Sequence, residues 1–379
     1  MKKTLLTICL VWMCFSLSAQ KIIDLSGKWS FSIDRQDNGE KEKWFSHTLN
    51  DFINLPGSMP EKLKGDEVTA KTQWTGSLYD SSYYYNPYME KYRKEGNIKF
   101  PFFLTPDKHY VGAAWYQKEV NIPADWKGER ILLFLERPHI ETTVWVNGQK
   151  TGMQNSLCVP HQYDITHYVR PGKCTITIRV DNRIKEINVG PDSHSITDQT
   201  QGNWNGIVGR ICLQTTPKTY FDDIQIYPEP EQKLARVKVV IKGTGTAKVK
   251  LSAESFNTDK KHIVPAIQQE IKLNKGVTET EMVLPMGNDM LLWDEFHPAL
   301  YKLKAEVTNG KKTEIKEIQF GMRRFEIKGK WFYVNGRKTQ LRGTVENCDF
   351  PLTGYAPMDV ESWERVFRIC RSYGLNHMR

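Results

Sequence analysis

Cysteine is scarce in this chain, with seven in 379 residues. Cys9 and Cys14 fall within the first twenty positions, which leaves Cys158, Cys174, Cys212, Cys348 and Cys370, an odd and widely spaced set. That excludes a disulfide framework. No Cys or His stands at zinc-site spacing either, so the five thiols are expected to be buried small hydrophobes. Past the N-terminus no apolar run approaches the roughly 20 residues that span a bilayer, and no membrane span is expected. Charge of one sign is also thin. The formal net charge is +9, two units of it from Lys2 and Lys3. Spread over this length, it is a weak argument for a nucleic-acid or anionic-membrane partner.

What is present begins with an address. Residues 1–20 read MKKTLLTICLVWMCFSLSAQ: two lysines, an apolar run from Leu5 to Leu17, then Ser18, Ala19 and Gln20. A basic start, a short apolar stretch and a small residue before the cut make a secretory signal peptide over 1–19, with cleavage expected after Ala19. Cys14 lies inside the apolar run, which does not fit a lipoprotein. The expected location is periplasmic or secreted.

From Lys21 to about Pro230 the pattern is short strands of period two without a convincing helix. Trp29, Phe31 and Ile33 alternate with Ser30, Ser32 and Asp34, and Arg130 to Glu136 is nearly all apolar, as in a strand covered on both faces. Val144-Trp145-Val146 runs into Asn147-Gly148, a strong two-residue hairpin signal. Cys174, Ile176, Ile178 and Val180 mark one face of a further strand. This predicts a jelly-roll β-sandwich over 20–230. Over 231–321, Val237, Val239 and Ile241 alternate with Arg236, Lys238 and Lys242, and Tyr301, Leu303, Ala305 and Val307 alternate with Lys302, Lys304 and Glu306 before Asn309-Gly310. A second, immunoglobulin-like sandwich fits that stretch, with the lysines and arginines of 233–250 on its solvated face.

The character changes over 322–379. Thr339 to Val345 is a candidate strand after the Asn335-Gly336 turn. Asp359 is a plausible N-cap for a helix in which Trp363, Val366, Phe367 and Cys370 form one apolar stripe. Gly374 is a C-terminal stop signal, and Leu375 to Arg379 begins another strand. Strand, helix and strand after two sandwiches form the opening of a parallel α/β domain. Two strands and one helix cannot bury a parallel sheet on both faces. The chain is therefore expected to be part of a longer protein.

The order of these elements and seven stretches of sequence resemble glycoside hydrolase family 2, the family of β-galactosidases, β-glucuronidases and β-mannosidases. The stretches are Ala114–Lys118, Val144–Gly148, Tyr163–Thr166, Gly206–Arg210, Tyr333–Gly336, Leu341–Gly343 and Pro351–Gly354. The resemblance implies a jelly-roll sugar-binding domain, an immunoglobulin-like domain and a (β/α)8 barrel, here only its first strand–helix–strand. It implies an exported exo-β-glycosidase with a carbohydrate substrate and a retaining mechanism. Two carboxyl groups about 5–5.5 Å apart would act as acid/base and nucleophile, with no cofactor or metal. Both catalytic glutamates would end later barrel strands, so none is expected in residues 20–379, which alone should be inactive. Oligomeric state is left open. The alternative class is a non-catalytic, adhesin-like carbohydrate-binding protein of two sandwiches.

Among the supporting positions, the resemblance puts Arg379 beside the nucleophile carboxylate, while Arg342 reads as structural. Glu346 and Asn347 follow the first barrel strand, where active-site loops arise; Glu346 either meets a sugar hydroxyl or faces solvent. By the resemblance, Asp192 falls on a loop that offers a carboxylate to the terminal sugar; after Gly190-Pro191 it is alternatively an Asx-turn former. Trp204 and Asn205 either line the same pocket or, for Trp204, pack between sandwich and barrel. The aromatics of 74–110 either stack on sugar rings or pack an insertion.

Overall fold

The computed structural model describes residues 21–69, 71–75, 85–99, 105–185, 202–348 and 350–379. The protein is mainly β, and it divides into two compact units, one formed by 21–216 with 329–332 and 338–379, the other by 217–328 with 333–337.

In the first unit two antiparallel sheets face each other. One orders the strands Ile22–Asp24, Gly206–Thr216, Arg130–His139 and His161–Asp164, with Gly57–Ser58 added beside Gly206–Thr216. The other orders Gln149–Asn155, Glu141–Val146, Gly172–Asp181, Ala113–Ile122, Gly27–Asp34 and Asp51–Leu55. Trp29, Phe31, Tyr116, Leu133, Leu135, Ile178 and Leu213 meet between them in one core. Each such side chain is worth about 1.5–3 kcal/mol in transfer from water. The Asn147-Gly148 turn has both residues at positive φ, 51° and 78°, the left-handed pair that a type I′ hairpin requires.

Asp34 departs from the expected alternation. It is buried because its carboxylate accepts from the Trp115 indole N–H at 2.9 Å and from the Asn38 and Gly39 amides, both at 2.9 Å. Trp115 then stands on the outer side of its sheet, where Trp44, Phe45 and Leu49 fold over it and Trp145 as a second small core.

In the same unit, after residue 338, Gly343–Thr344 and His377–Met378 pair in parallel, joined by the helix Val360–Ser372. The expected strand over 339–345 is broken, with Thr339 ending the short strand Arg337–Thr339 and Gly343–Thr344 forming a separate pair. The Asp359 carboxylate caps the helix by accepting from the Ser362 amide at 2.7 Å, and Gly374 closes it at φ 76°. None of the helix residues is buried, although Trp363 and Phe367 stack with centroids 6.0 Å apart.

The second unit holds a three-stranded sheet, Tyr220–Glu229, Leu234–Lys242 and Val277–Pro285, and a four-stranded one, Ile263–Leu273, Gly245–Phe256, Leu300–Asn309 and Lys312–Phe320. Both feed one core that includes Val237, Val239, Ile241, Tyr301 and Leu303. The expected boundary at 230 is corrected to about 217. Tyr220–Glu229 pairs along its length with Leu234–Lys242 and so belongs to the second sandwich. The basic residues of its outer face are matched across strands by acids: Arg236 by Glu229 and Glu281, Lys238 by Glu279, Lys242 by Asp222.

The thiols are free, but not all are buried. Cys174 and Cys212 are, Cys348 and Cys370 are half-buried, and Cys158 is exposed in a loop that no core reaches.

Candidate functional site

The expected site residues that the structure describes gather in the first unit, where one end of its sandwich meets the segment after Gly343–Thr344. Trp204 lies at the junction, 3% exposed. The His139 imidazole stacks on its ring at 4.6 Å and 16°, and Tyr355 leans on it at 5.5 Å. Gly354 must be glycine here. Its φ is 81°, and a Cβ would stand 2.8 Å from the Trp204 Cβ. Trp204 is thus a packing residue between sandwich and the following segment, which is the second of its two expected readings. Its edge also lines a narrow cleft with Lys108, His109, Asn203, Phe350 and Pro351.

Asn205 is corrected as a substrate contact. It is fully buried, and its amide donates to the carbonyls of Gly112 at 2.9 Å and Val180 at 3.0 Å, while its carbonyl accepts from the Tyr116 hydroxyl at 2.7 Å. A side chain engaged at both ends in this way ties three strands together and has nothing left for a sugar.

The loop that follows Thr344 is seated on the sandwich by polar contacts. The Ser58 hydroxyl donates to the Thr353 carbonyl, and the Tyr355 hydroxyl donates to Glu61 at 2.8 Å. Burial raises the Glu61 carboxyl, but hydrogen bonds from Lys62 and Tyr355 outweigh it and hold the group below its usual range. The Tyr355 phenol moves the other way, raised by burial and by Glu61.

Glu346 is half-buried and accepts from the Cys348 amide at 2.9 Å; Asn347 is exposed. Glu346 and Arg379 are brought side by side through their backbones, the Glu346 amide donating to the Arg379 carbonyl at 2.9 Å and the Arg379 amide to Thr344 at 3.0 Å. The Arg379 side chain is exposed. Arg342 donates to the Gly374 carbonyl at 2.8 Å, a structural tie. Asp192 lies outside the described residues, as do most aromatics of 74–110. Of the latter, Trp74 packs on His109 at 4.8 Å, while Tyr85 and Tyr88 are more than four-fifths exposed.

Two residues at this end escaped the sequence reading, Arg137 and His139. Their signal was a charge and an imidazole directly after the apolar run Arg130 to Glu136. Burial, then the charge of Arg137, lowers His139 to about 3, so its ring is neutral at any physiological pH. Among the described residues no cluster of three or more His, Cys, Asp or Glu is placed to hold a metal, and no helix is long and apolar enough to cross a membrane.

Comparison with known proteins agrees with this architecture. Residues 22–217 match the glycosyl hydrolases family 2 sugar-binding domain, and 219–323 match a further glycosyl hydrolases family 2 domain. Human β-glucuronidase is 23% identical over 394 residues, covering 94% of this chain and 53% of its own. A β-galactosidase of Thermoanaerobacter pseudethanolicus is 24% identical over 301 residues, covering 75% of this chain and 38% of its own. Among solved structures, Ruminococcus gnavus β-glucuronidase superposes with a TM-score of 0.69 at 19% identity, over 96% of this chain and 55% of that one. These likenesses define a class of chains in which a sugar-binding sandwich precedes a second β unit. The chain belongs to glycosyl hydrolases family 2. It spans about half or less of the length of the relatives cited.

Proposed function

We propose that the whole protein is an exported, exo-acting β-glycosidase that hydrolyses terminal sugars of oligosaccharides with retention. In this reading 21–216 is a jelly-roll domain and 217–321 an immunoglobulin-like one, supported by facing two-sheet packing and by the three-plus-four strand arrangement. Residues 322–379 open a (β/α)8 barrel. The observation that carries the proposal is the parallel pairing of Gly343–Thr344 with His377–Met378 across a helix, directly after two domains of the family. A lectin of two sandwiches needs no such unit.

The acid/base and nucleophile would then come from later strands at the C-terminal face of the barrel, the face on which Glu346, Asn347 and Arg379 would lie. Asp192 would reach the same sugar from its loop in the sandwich. Arg379 would hold the nucleophile ionised by offering a fixed positive partner.

The test is turnover of aryl β-D-glucuronide, β-D-galactoside and β-D-mannoside by the whole gene product. Hydrolysis is expected, together with a covalent adduct of one sugar when a 2-deoxy-2-fluoro glycoside is supplied. Residues 20–379 alone are expected to show neither. Absence of turnover by the intact product on every aryl glycoside would overturn the reading, as would robust hydrolysis by clean residues 20–379.

A further inference from the structure

The strand Arg130–His139 has a row of side chains facing the sandwich core, Ile131, Leu133 and Leu135. Period-two alternation continues that row into Arg137 and His139. The apolar core therefore ends in a guanidinium and a neutral imidazole, at the end of the sandwich where His139 stacks on Trp204 and Trp204 meets Tyr355.

Each group keeps one buried nitrogen unpaired, although the Asn203 side chain is a hydrogen-bond neighbour of the His139 ring. The Nε of Arg137 and the Nε2 of His139 are both out of contact with solvent and without a hydrogen-bond partner, and His139 is 5% exposed. No salt bridge reaches Arg137 among the described residues. Its neighbour in sequence, Glu136, does not serve. Strand pairing is irregular between Val208 and Ile211, and the extra length there brings Arg210 onto Glu136, its amide at 2.7 Å and its Nε at 3.2 Å. Gly209, at φ 72°, makes that approach, for a Cβ would stand 2.7 Å from the Glu136 carboxylate. Glu346 is not paired with Arg137 either, although the charge of Arg137 reaches the adjacent Cys348 thiol. Buried donors left unpaired are costly, and proteins retain few of them without a reason.

We propose that Arg137, with His139 beside it, is a specificity-determining subsite for an anionic saccharide, binding a carboxylate or sulfate group carried by the substrate near the Glu346–Asn347 loop. A guanidinium offers a planar set of donors that fits either oxyanion, and partial burial strengthens the contact by excluding water. The imidazole stays uncharged and adds a donor or acceptor without adding charge. This inference rests on the glycosidase reading and names its substrate class.

The experiment compares the whole protein with its Arg137→Ala, Arg137→Gln and Arg137→Lys variants. Substrates are p-nitrophenyl β-D-glucuronide, p-nitrophenyl 6-sulfo-β-D-galactoside and their neutral glucoside and galactoside counterparts. For one or both anionic substrates kcat/KM should fall about 10- to 100-fold in the Ala and Gln variants, the range of a lost hydrogen bond to a charged group. Neutral substrates should change by less than about threefold, and Lys should recover part of the loss. Selective loss on the glucuronide identifies a carboxylate, and on the sulfogalactoside a sulfate. An equal loss on charged and neutral substrates, or no loss on any, would overturn the inference and place the partner of Arg137 elsewhere in the protein; so would wild-type turnover confined to neutral sugars. If the wild type turns over nothing, the glycosidase reading fails by itself. Calorimetric titration with D-glucuronate against D-glucose then decides the subsite, saturable binding that Arg137→Gln abolishes supporting it and equal or absent binding refuting it. Unfolding transitions matching wild type exclude misfolding of the variants.

Discussion

Asp181 is the most demanding place to perturb the first unit. Its carboxylate is fully buried at the end of Gly172–Asp181 and receives Arg183 at 2.6 Å, Lys185 at 2.7 Å and Arg179 at 3.0 Å. Asp37 and Glu141 complete the cluster, Asp37 taking both arginines and Glu141 taking Arg179 and Lys185. Three cations face three anions, so Asp181→Asn leaves one positive charge in excess. Removing one partner of a buried pair costs about 3–5 kcal/mol. Here Arg183 and Lys185 are 36% exposed, and Asp37 and Glu141 remain. Solvent screening therefore lowers the expectation to about 2–3 kcal/mol. At a urea slope of roughly 2 kcal/mol per molar, the unfolding midpoint should fall by about 1 M at pH 7. Tryptophan fluorescence reports on this unit, since Trp293 is the one described tryptophan in the other. The pH dependence sharpens the test. Burial raises the Asp181 carboxyl, but Arg183, Lys185 and Arg179 prevail and hold it well below its ordinary 3.8. A depressed carboxyl contributes its full stability above the unfolded value and loses it as pH falls through the folded one. The gap between wild type and variant should thus be full at pH 7 and shrink below about pH 5. Burial lowers His139 to about 3 and His161 to about 4, which costs stability below pH 6.5 in both proteins and leaves the gap unchanged. Equal midpoints at pH 7, or a gap that ignores pH, would refute this account.

Two further outcomes follow, one from local geometry and one from the proposed export. Gly354→Ala forces a positive φ onto a side chain that meets Trp204 at 2.8 Å, and should destabilise the first unit by about 1–3 kcal/mol. An unchanged fluorescence-detected melting temperature would show that the junction yields freely. On the proposal that the protein is exported, N-terminal sequencing of the mature chain should start at Gln20, and recovery of an intact Met1 in the periplasm or medium would exclude cleavage after Ala19.

The strands were legible because their faces differ in polarity. Where one face packs and the other meets water, as in Leu234–Lys242 or Leu300–Asn309, period two is written in the residues themselves. The helix cap at Asp359 and the hairpin at Asn147-Gly148 were legible for a related reason, since each depends on local chemistry alone. The site was less so. Asn205 is a polar residue in a glycine-rich, aromatic stretch, as a ligand contact would be; only the folded chain shows Gly112, Val180 and Tyr116 converging on it. Asp34 looked like an outward residue for the same reason. Its burial depends on Trp115, far along the chain, turning its indole N–H toward it. Side chains whose partners are remote in sequence carry no local sign of them.

Arg137 shows the converse. Two charged residues, Glu136 and Arg137, after five apolar ones read as the end of a strand, yet the strand runs on to His139 and stays paired with its neighbour up to Gly206, across a register shift between Val208 and Ile211. What changes at that point is the chemistry of the inward row. An irregularity in pairing bends a strand and re-aims the side chains beside it, and it draws Glu136 to Arg210 while Arg137 is left without a counter-charge. Had the end of the sandwich needed only to be closed, another Leu or Ile at 137 would have continued the core at no electrostatic cost. An arginine costs desolvation there and recovers it only when an anion arrives. The same residue that costs the sandwich stability is therefore the one that would tell a charged sugar from a neutral one.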